Sequence, residues 1–471
     1  QGLLESGLFN LLALVLALGW IEVLLPIVSR WVGQNFAFDV FNSLECWSMV
    51  LMIFVCGTLF IGLYPSFLLT HIKPSDIMRG KFLHSRKGNK IRKILIVIQF
   101  VASFILVSGT IVVIRQIHFM QQETSSAMFD RVLVLKYPAL TENMSVQMMN
   151  FKKRLEQESF ISHVAGSGAV PGAEVANYFT NRPYGSDISE IKLIQMFAVD
   201  YDYLTLYSLK IICGRIFSEN YGNELNKVVL NEEAARLLGY SSPEDALGKQ
   251  LAMEVLEEPL EIIGVVKNYH QQSLAEPYKP IMFFIKERVP FIATPYISIQ
   301  FNTEINAKQV AKIEQIYKTY FPSAVFSYFR LSDYNDDLYK SDRNFSWIFT
   351  CASLLAIFVA CLGLWIMTLF STMARVKEIG IRKVLGADKI SLFGVLTREL
   401  ILLTILATVL GTPLSIILMD EWLGTYAFHI VLPWWGYVIA FVLMIFVALL
   451  TVAHQVWRVI RLKPMRILRN E

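Results

Sequence analysis

Six apolar stretches reach about 20 residues, the length a helix needs to cross a hydrocarbon core of about 30 Å. They fall at 7–29, 47–70, 94–114, 345–371, 400–419 and 434–457. Glu22 lies inside the first and His454 in the last turn of the sixth; the other four carry no ionic side chain. Any single run also reads as a buried globular helix. Six in one chain do not, and the pattern predicts six membrane spans. An isolated charge at the bilayer centre costs roughly 2.5–3.5 kcal/mol on insertion scales, so Glu22 is expected to snorkel to the outer interface or to face protein.

The stretch 119–343 has a different pattern. Short strand-like runs alternate with helical ones. RVLVLKY (131–137), KLIQMFAV (192–199), EIIGVV (261–266), MFFI and YISIQF read as strands. Met148, Phe151 and Leu155 share one helical face, as do Val310, Ile313, Tyr317 and Tyr320. KVVL (227–230) is followed by Asn231 as an N-cap, then EEAARLL, then Gly239 as a stop. These alternations predict a mixed, α+β domain of about 220 residues, large enough to bury its own core.

Charge orients the spans. Residues 72–93 carry eight Lys or Arg, 374–392 carry five and 458–471 carry five. In the alternate loops, 30–46 hold only Arg30 and 419–434 hold none. The positive-inside rule places the three basic segments and the N-terminus in the cytoplasm, and 119–343 outside. The chain is 54% hydrophobic and 17% charged, against about 45–50% and about 25% for soluble domains. Its mean hydropathy is +0.47. Disorder is excluded, and the shift argues against a purely soluble protein. A net charge of +4 on 43 basic residues argues against a nucleic-acid binder. Basic clusters beside spans point instead to anionic lipid and an intracellular partner.

Catalytic and metal patterns are missing. There is no GxxxxGK[ST], no HExxH and no GxSxG. The histidines at 71, 84, 118, 163, 270, 429 and 454 never fall at ligand spacing. His270, after the strand in VVKNYH, admits a catalytic reading but fits a structural or surface role better. MEVLEEPLE (253–261) reads as a solvated hairpin face. Cysteines 46, 56, 213, 351 and 361 form no paired spacing, and Cys213 reads as a small core residue. No cofactor is expected.

The chain also repeats itself. LLES (3–6) matches LTREL near 396, RWVG (30–33) matches EWLG (421–424), and IKPSDIMRGK (72–81) matches LKPMRILRNE (462–471). The offset drifts only from 394 to 390. Spans one and two therefore correspond to spans five and six, and span three opens a second unit. The expectation is two units of four spans and one outside domain each, the first cut at Gln1.

RVKEIGIRKVLGADKISLFGVLTREL (375–400) resembles the permease subunits of the MacB/FtsX/LolC-type ABC transporters, whose second and third spans are joined by an EIGIRKxLGA segment. VVLNEEAARLLG, GRIF (214–217), IIGVVKNYH and Pro280 resemble that family's periplasmic core domain. The doubled plan with KPxxxLR ends is similar to two-domain permeases of Bacteroidota. Asn268-Tyr269 departs from the usual Asp-Phe. The residues of the segment agree with a short helix: Glu378 and Arg382 form an i, i+4 pair worth roughly 0.2–0.5 kcal/mol. Ile379, Val384 and Leu385 supply an apolar side, and Gly386 a stop. Such a helix rests on the membrane or docks a partner. The resemblance implies docking to a cytoplasmic ATPase through Lys377, Glu378, Ile379, Gly380, Ile381, Arg382, Lys383, Leu385 and Gly386.

The fold class implied is a membrane α-helical protein of six spans, with a large α+β periplasmic domain inserted between spans three and four. The domains expected are 1–93 (the end of the first permease unit), 94–118 (span three and stalk), 119–343 (the periplasmic core) and 344–471 (an FtsX-like domain, coupling segment 375–390). Ile94 to about Gln122 reads as one helix of about 28 residues, about 42 Å long, which projects beyond the bilayer. Ala352, Ala356 and Ala360 give span four a small face for close helix contact, within this unit or against another. The resemblance implies a non-catalytic subunit of the bacterial inner membrane. ATP hydrolysis in a partner chain then drives the periplasmic domain, by mechanotransmission, to export or extract a substrate. An adaptor in the periplasm and paired permease units are further implied partners. The alternative it implies is a transmembrane regulator or sensor that controls a cell-wall enzyme or an antimicrobial response. A domain above 200 residues suits substrate handling better.

Overall fold

The computed structural model describes residues 2–32, 43–70, 86–124, 129–136, 144–175, 177–288, 295–374 and 388–460. The segment 375–387, with the nine predicted docking residues, and both KPxx ends lie outside the described residues. Six long helices are apolar enough to cross a membrane among those described. They are α1 (Gly2–Val32), α2 (Leu44–Thr70), α3 (Arg86–Thr124), α8 (Lys340–Ala374), α9 (Lys389–Leu423) and α10 (Trp434–Ile460). Helix α3 is 39 residues long, about 58 Å at 1.5 Å per residue. It exceeds the expected length because the basic run from Arg86 is itself helical: Lys and Arg are good helix formers.

The chain divides into two units. The first comprises residues 1–103, 354–410 and 441–471; the second comprises 104–353 and 411–440. In the first unit α1 packs on α2. Asn10 Nδ2 donates to Thr58 Oγ1 at 3.1 Å, and Gly62 passes so close to Leu3 that a Cβ would lie 3.1 Å from its Cα. The same registers recur between α9 and α10. Thr397 and Thr404, at offset 394 from Leu3 and Asn10, line one small cavity with Ala448 and Val452, at offset 390 from Thr58 and Gly62. The internal repeat is thus a repeated helix pairing as well as a repeated spelling.

Among its described residues the second unit is built around eleven strands: β1 (Val132–Lys136), β2 (Ile161–Ser167), β3 (Tyr178–Pro183), β4 (Lys192–Val199), β5 (Ile211–Gly214), β6 (Lys227–Asn231), β7 (Gln250–Met253), β8 (Leu260–Val266), β9 (Ile281–Ile285), β10 (Tyr296–Phe301) and β11 (Tyr328–Arg330). The order is β11-β1-β10-β2-β4-β3-β7-β8-β6-β9, and β9 pairs back on β4 in parallel. Six strands therefore close a ring. Alternation along them fills it: Ile194, Met196 and Ala198 point in from β4, and Met282 and Phe284 from β9. Phe197, Val199, Phe283 and Ile285 point out and are buried as well, in a second core. That explains the uninterrupted apolar spelling of these strands, since both faces are covered.

Strand β5 pairs antiparallel with β8 of the ring. The other four strands, β11-β1-β10-β2, form an antiparallel sheet backed by α4 (Met144–Glu156) and α6 (Ala307–Tyr320). Phe151, Leu155, Ile313 and Tyr317 are fully buried there, on the predicted helical faces. This sheet joins the ring by one strand pair, Ser167 with Val199. The join is tied by charge. Lys152 on α4 lies 2.8 Å from Asp200 and 2.5 Å from Asp202, and the Gly166 amide donates to Asp200 at 2.7 Å. Burial pulls the Lys152 ammonium down, but the two carboxylates more than reverse it and hold it above the usual lysine range.

The helix α5 (Glu232–Leu237) starts as its sequence predicts. Asn231 caps it, accepting from Ala234 N at 2.9 Å, and Gly239 follows with φ +91°. Asn268 secures the same end: its side chain accepts from Glu233 N, and its amide donates to Glu232. MEVLEEPLE spans the β7–β8 hairpin. The GRIF and IIGVV motifs meet where β5 crosses β8. A Cβ at Gly264 would lie 2.3 Å from the Arg215 carbonyl oxygen, and one at Gly214 (φ +76°) 2.3 Å from that of Ile263. Replacing Gly264 by Ala is expected to destabilise the domain by about 2–3 kcal/mol, or roughly 4–10 °C in thermal midpoint. Gly248→Ala, at φ +73° in open space, should cost about 1–2 kcal/mol. Equal midpoint losses in a melting experiment would contradict the close-approach explanation.

A candidate coupling joint at the outer helix ends

The outer part of α3 buries Val112, Val113, Gln116, Ile117 and Met120, a face two residues wide recurring at helical spacing. Within the second unit this face meets two things at once. One is the turn after α9, residues 424–432. The other is the segment between β8 and β9, residues 267–280.

Gln116 is fully buried, and both ends of its amide are paired to backbone. Nε2 donates to the Phe428 carbonyl at 3.0 Å, and Oε1 accepts from Ile430 N at 2.9 Å. The turn alternates: Tyr426, Phe428 and Ile430 are half-buried, while Ala427 and His429 are exposed. Its backbone also bonds to the α+β domain. Ala427 N donates to the Ala275 carbonyl at 3.1 Å, and Phe428 N to that of Leu274 at 3.2 Å. The Phe428 ring sits 4.6 Å from His270 and 4.8 Å from Tyr278. One residue therefore holds helix and domain together, through its carbonyl to α3 and through its amide and ring to the domain.

The domain side is anchored inward. Gln271, 4% exposed, donates to the carbonyls of Val170 and Ala173, and its own carbonyl accepts from Gly172 N. Asn231 donates to the Lys279 carbonyl and accepts from Ile281 N. Segment 267–280 is thus fastened to the loop between β2 and β3 through Gln271 and to β6 of the ring through Asn231.

The foot of α8 completes the joint. Tyr339, just before α8, is buried with Val113, Ile117, Met120 and Leu274, and its hydroxyl accepts from Leu274 N at 3.3 Å. Tyr426 donates to Asp342 at 2.9 Å. Burial first, and then the Asp342 carboxylate, raise the Tyr426 phenol, so it stays a proton donor at any physiological pH. Trp422 stacks on Phe345 at 5.9 Å and meets Tyr426 edge-on at 5.0 Å. Arg115 covers Trp435 at 5.4 Å. On the membrane side of the apolar layer, hydroxyls link the helices: Ser108 to Ser415 at 2.8 Å and Thr110 to Ser353 at 2.6 Å.

Among the residues singled out in the sequence, Ala360 is buried, the Ala356 carbonyl accepts from Ser103 at 3.1 Å, and Ala352 is exposed. His270 belongs to an aromatic cluster with Tyr278 and Phe428. Cys213 is half-buried beside the ring core, and burial pushes its thiol up, away from nucleophilic character. No group of three metal-ligating side chains occurs among the described residues. Gln116 and the turn 424–432 escaped the sequence reading. The available signal was a glutamine at helical spacing with Val112, Val113 and Met120 in IVVIRQIHFM, where an unpaired amide would be expensive.

Residues 96–316 match the family described as MacB-like periplasmic core domain, and residues 350–464 match FtsX-like permease C-terminal. The chain is 25% identical over 238 residues to the ABC transporter permease YvrN of Bacillus subtilis (strain 168), covering 48% of this chain and 57% of that protein. It is 21% identical over 268 residues to the macrolide export ATP-binding/permease protein MacB of Aggregatibacter actinomycetemcomitans, covering 55% and 39%. The match thus spans about half the length of these relatives. The periplasmic region of MacB from Actinobacillus actinomycetemcomitans superposes with a TM-score of 0.32 at 14% identity, covering 46% of this chain and 97% of that one.

Proposed function

The chain belongs to the MacB/FtsX-type ABC transporter permeases, and on that premise we propose that it couples ATP hydrolysis by a separate ATPase subunit to movement of its α+β domain. The movement serves export or extraction of a substrate at the outer face of the bacterial inner membrane. The observation that carries this reading is the joint at Gln116 and Phe428. It fastens the outer ends of α3, α8 and α9 to one segment of the domain, so displacement of these helices is delivered to the domain as a whole. The domain then corresponds to 119–343 and the C-terminal permease domain to 344–471, as the sequence pattern suggests.

The segment 375–387 joins α8 to α9 and serves as the ATPase dock, with Lys377 to Lys383, Leu385 and Gly386 as the contact residues. Anionic lipid fits the basic flanks, and a paired permease unit and a periplasmic adaptor complete the assembly. Replacing Gly380 with Leu and Arg382 with Ala is expected to weaken retention of the ATPase subunit by about tenfold or more, about 1.4 kcal/mol. Membrane insertion should be unchanged. Pull-down from detergent extracts checks this, and wild-type retention by the double variant would remove the docking role.

A further inference from the structure

We propose that the Lys93–Glu399 ion pair is the positioning contact that makes α3 follow α9, so that displacement at the end next to 375–387 reaches the domain-bearing helix. The proposal rests on the coupling role given above to 375–387.

Helix α9 begins at Lys389, directly after that segment, and α3 ends at Thr124, directly before the domain. In the first unit Lys93 Nζ lies 2.5 Å from Glu399 Oε1. Both charges stand at the same ends of their apolar windows, Lys93–Gln122 and Thr397–Leu423. The sequence offset of this pair is 306. In the second unit the same two helices meet again. A Cβ at Gly411 would lie 3.0 Å from the Phe104 ring, and Ser415 Oγ lies 2.8 Å from Ser108 Oγ. Both of these contacts have an offset of 307. A fixed offset means that the two helices run parallel and in step, residue for residue.

Helix α8 runs the other way along α3: Ser103 donates to the Ala356 carbonyl, and Ser353 to that of Leu106. Thus α9 advances with α3 from the segment end toward the domain end. The contacts at Gly411 and Ser415 are an apolar touch and a hydroxyl pair, which let one helix face slip along another. A charge pair resists such slip, because parting it gives up a charge-assisted contact between two incompletely hydrated groups. The side chains are 37% and 26% exposed, so water screens them only in part. The internal repeat places a carboxylate at the same register, with Glu5 standing 394 residues before Glu399.

The test uses the full-length permease with its ATPase subunit in nanodiscs. The readout is the ATP-dependent change in amide hydrogen exchange over 267–280. Lys93→Met and Glu399→Gln are each expected to reduce that change by about fivefold while retaining the ATPase in pull-down. The reversed pair, Lys93→Glu with Glu399→Lys, should restore at least about half of it. A wild-type response in both single variants would overturn the proposal and leave the coupling reading standing. No ATP-dependent change in the wild type would overturn both. Loss of ATPase retention or thermal stability in step with the lost exchange response would make the pair a packing tie only, and would also overturn the proposal.

Discussion

Four residues, Gly-Ser-Gly-Ser, inserted after Gln121 are expected to leave ATP hydrolysis intact and to disconnect it from the α+β domain. Helix α3 enters the domain as a continuous rod, with Met120 fully buried and strand β1 starting at Val132. Within an α-helix four residues span about 6 Å and transmit rotation and thrust. As a Gly-Ser coil the same four spread over about 11 Å on average, with no fixed direction. Each glycine also costs about 1 kcal/mol of helix. Gln116 lies on the membrane side of the insertion, so its bonds to the turn 424–432 should survive. The ATP-induced change in exchange over strands β1 and β10 should fall by about tenfold, reflecting that swivel. The change at Ile430 should persist. A wild-type response at β1 would show that the domain is driven through the turn alone, and the rod would lose its role.

Much of the architecture is legible in the amino-acid sequence. The strands KLIQMFAV and YISIQF coincide with β4 and β10 residue for residue, because continuous apolar runs bounded by polar turns have one good interpretation. The N-cap at Asn231 and the stop at Gly239 follow from local chemistry and stand where expected. Strands β2, β3, β5, β7 and β11 were not legible. ISHVAGS and YFTNRP carry too many polar and small residues to announce a strand, and only pairing with neighbours makes them one. The closure of the ring is a long-range fact that no local pattern encodes. The joint was illegible for the same reason: Gln116 and Phe428 are 312 residues apart. The apolar run from Ile94 identified α3 as a long span. It gave no indication that one polar residue on its buried side serves a turn from another helix.

Replacing Gln116 with Leu should loosen the joint more than any other single side-chain change there. The substitution keeps the volume and removes both hydrogen bonds. The Phe428 carbonyl and the Ile430 amide, in a half-buried turn, would then lose their partners, at about 1–3 kcal/mol each. Burial of the leucine side chain offsets part of this, which leaves about 2 kcal/mol net. That corresponds to roughly 30-fold faster exchange of the Ile430 amide through local opening. Gln116→Glu separates the two bonds. Burial disfavours the charged carboxyl, so the comparison is made at a pH high enough to ionise it: the carboxylate then accepts from Ile430 N but cannot donate to Phe428, and it faces the Phe428 carbonyl with like polarity. The Ile430 amide should therefore stay protected in the glutamate variant while the ATP-induced response over 267–280 falls. If the leucine variant protected Ile430 as well as the wild type does, the amide clamp would be incidental. The aromatic contacts of Phe428 with His270 and Tyr278 would then have to hold the turn by themselves. Those contacts contribute about 0.5–1.5 kcal/mol per pair beyond the area they bury. Phe428→Ala would in that case abolish the response while Gln116→Leu preserved it.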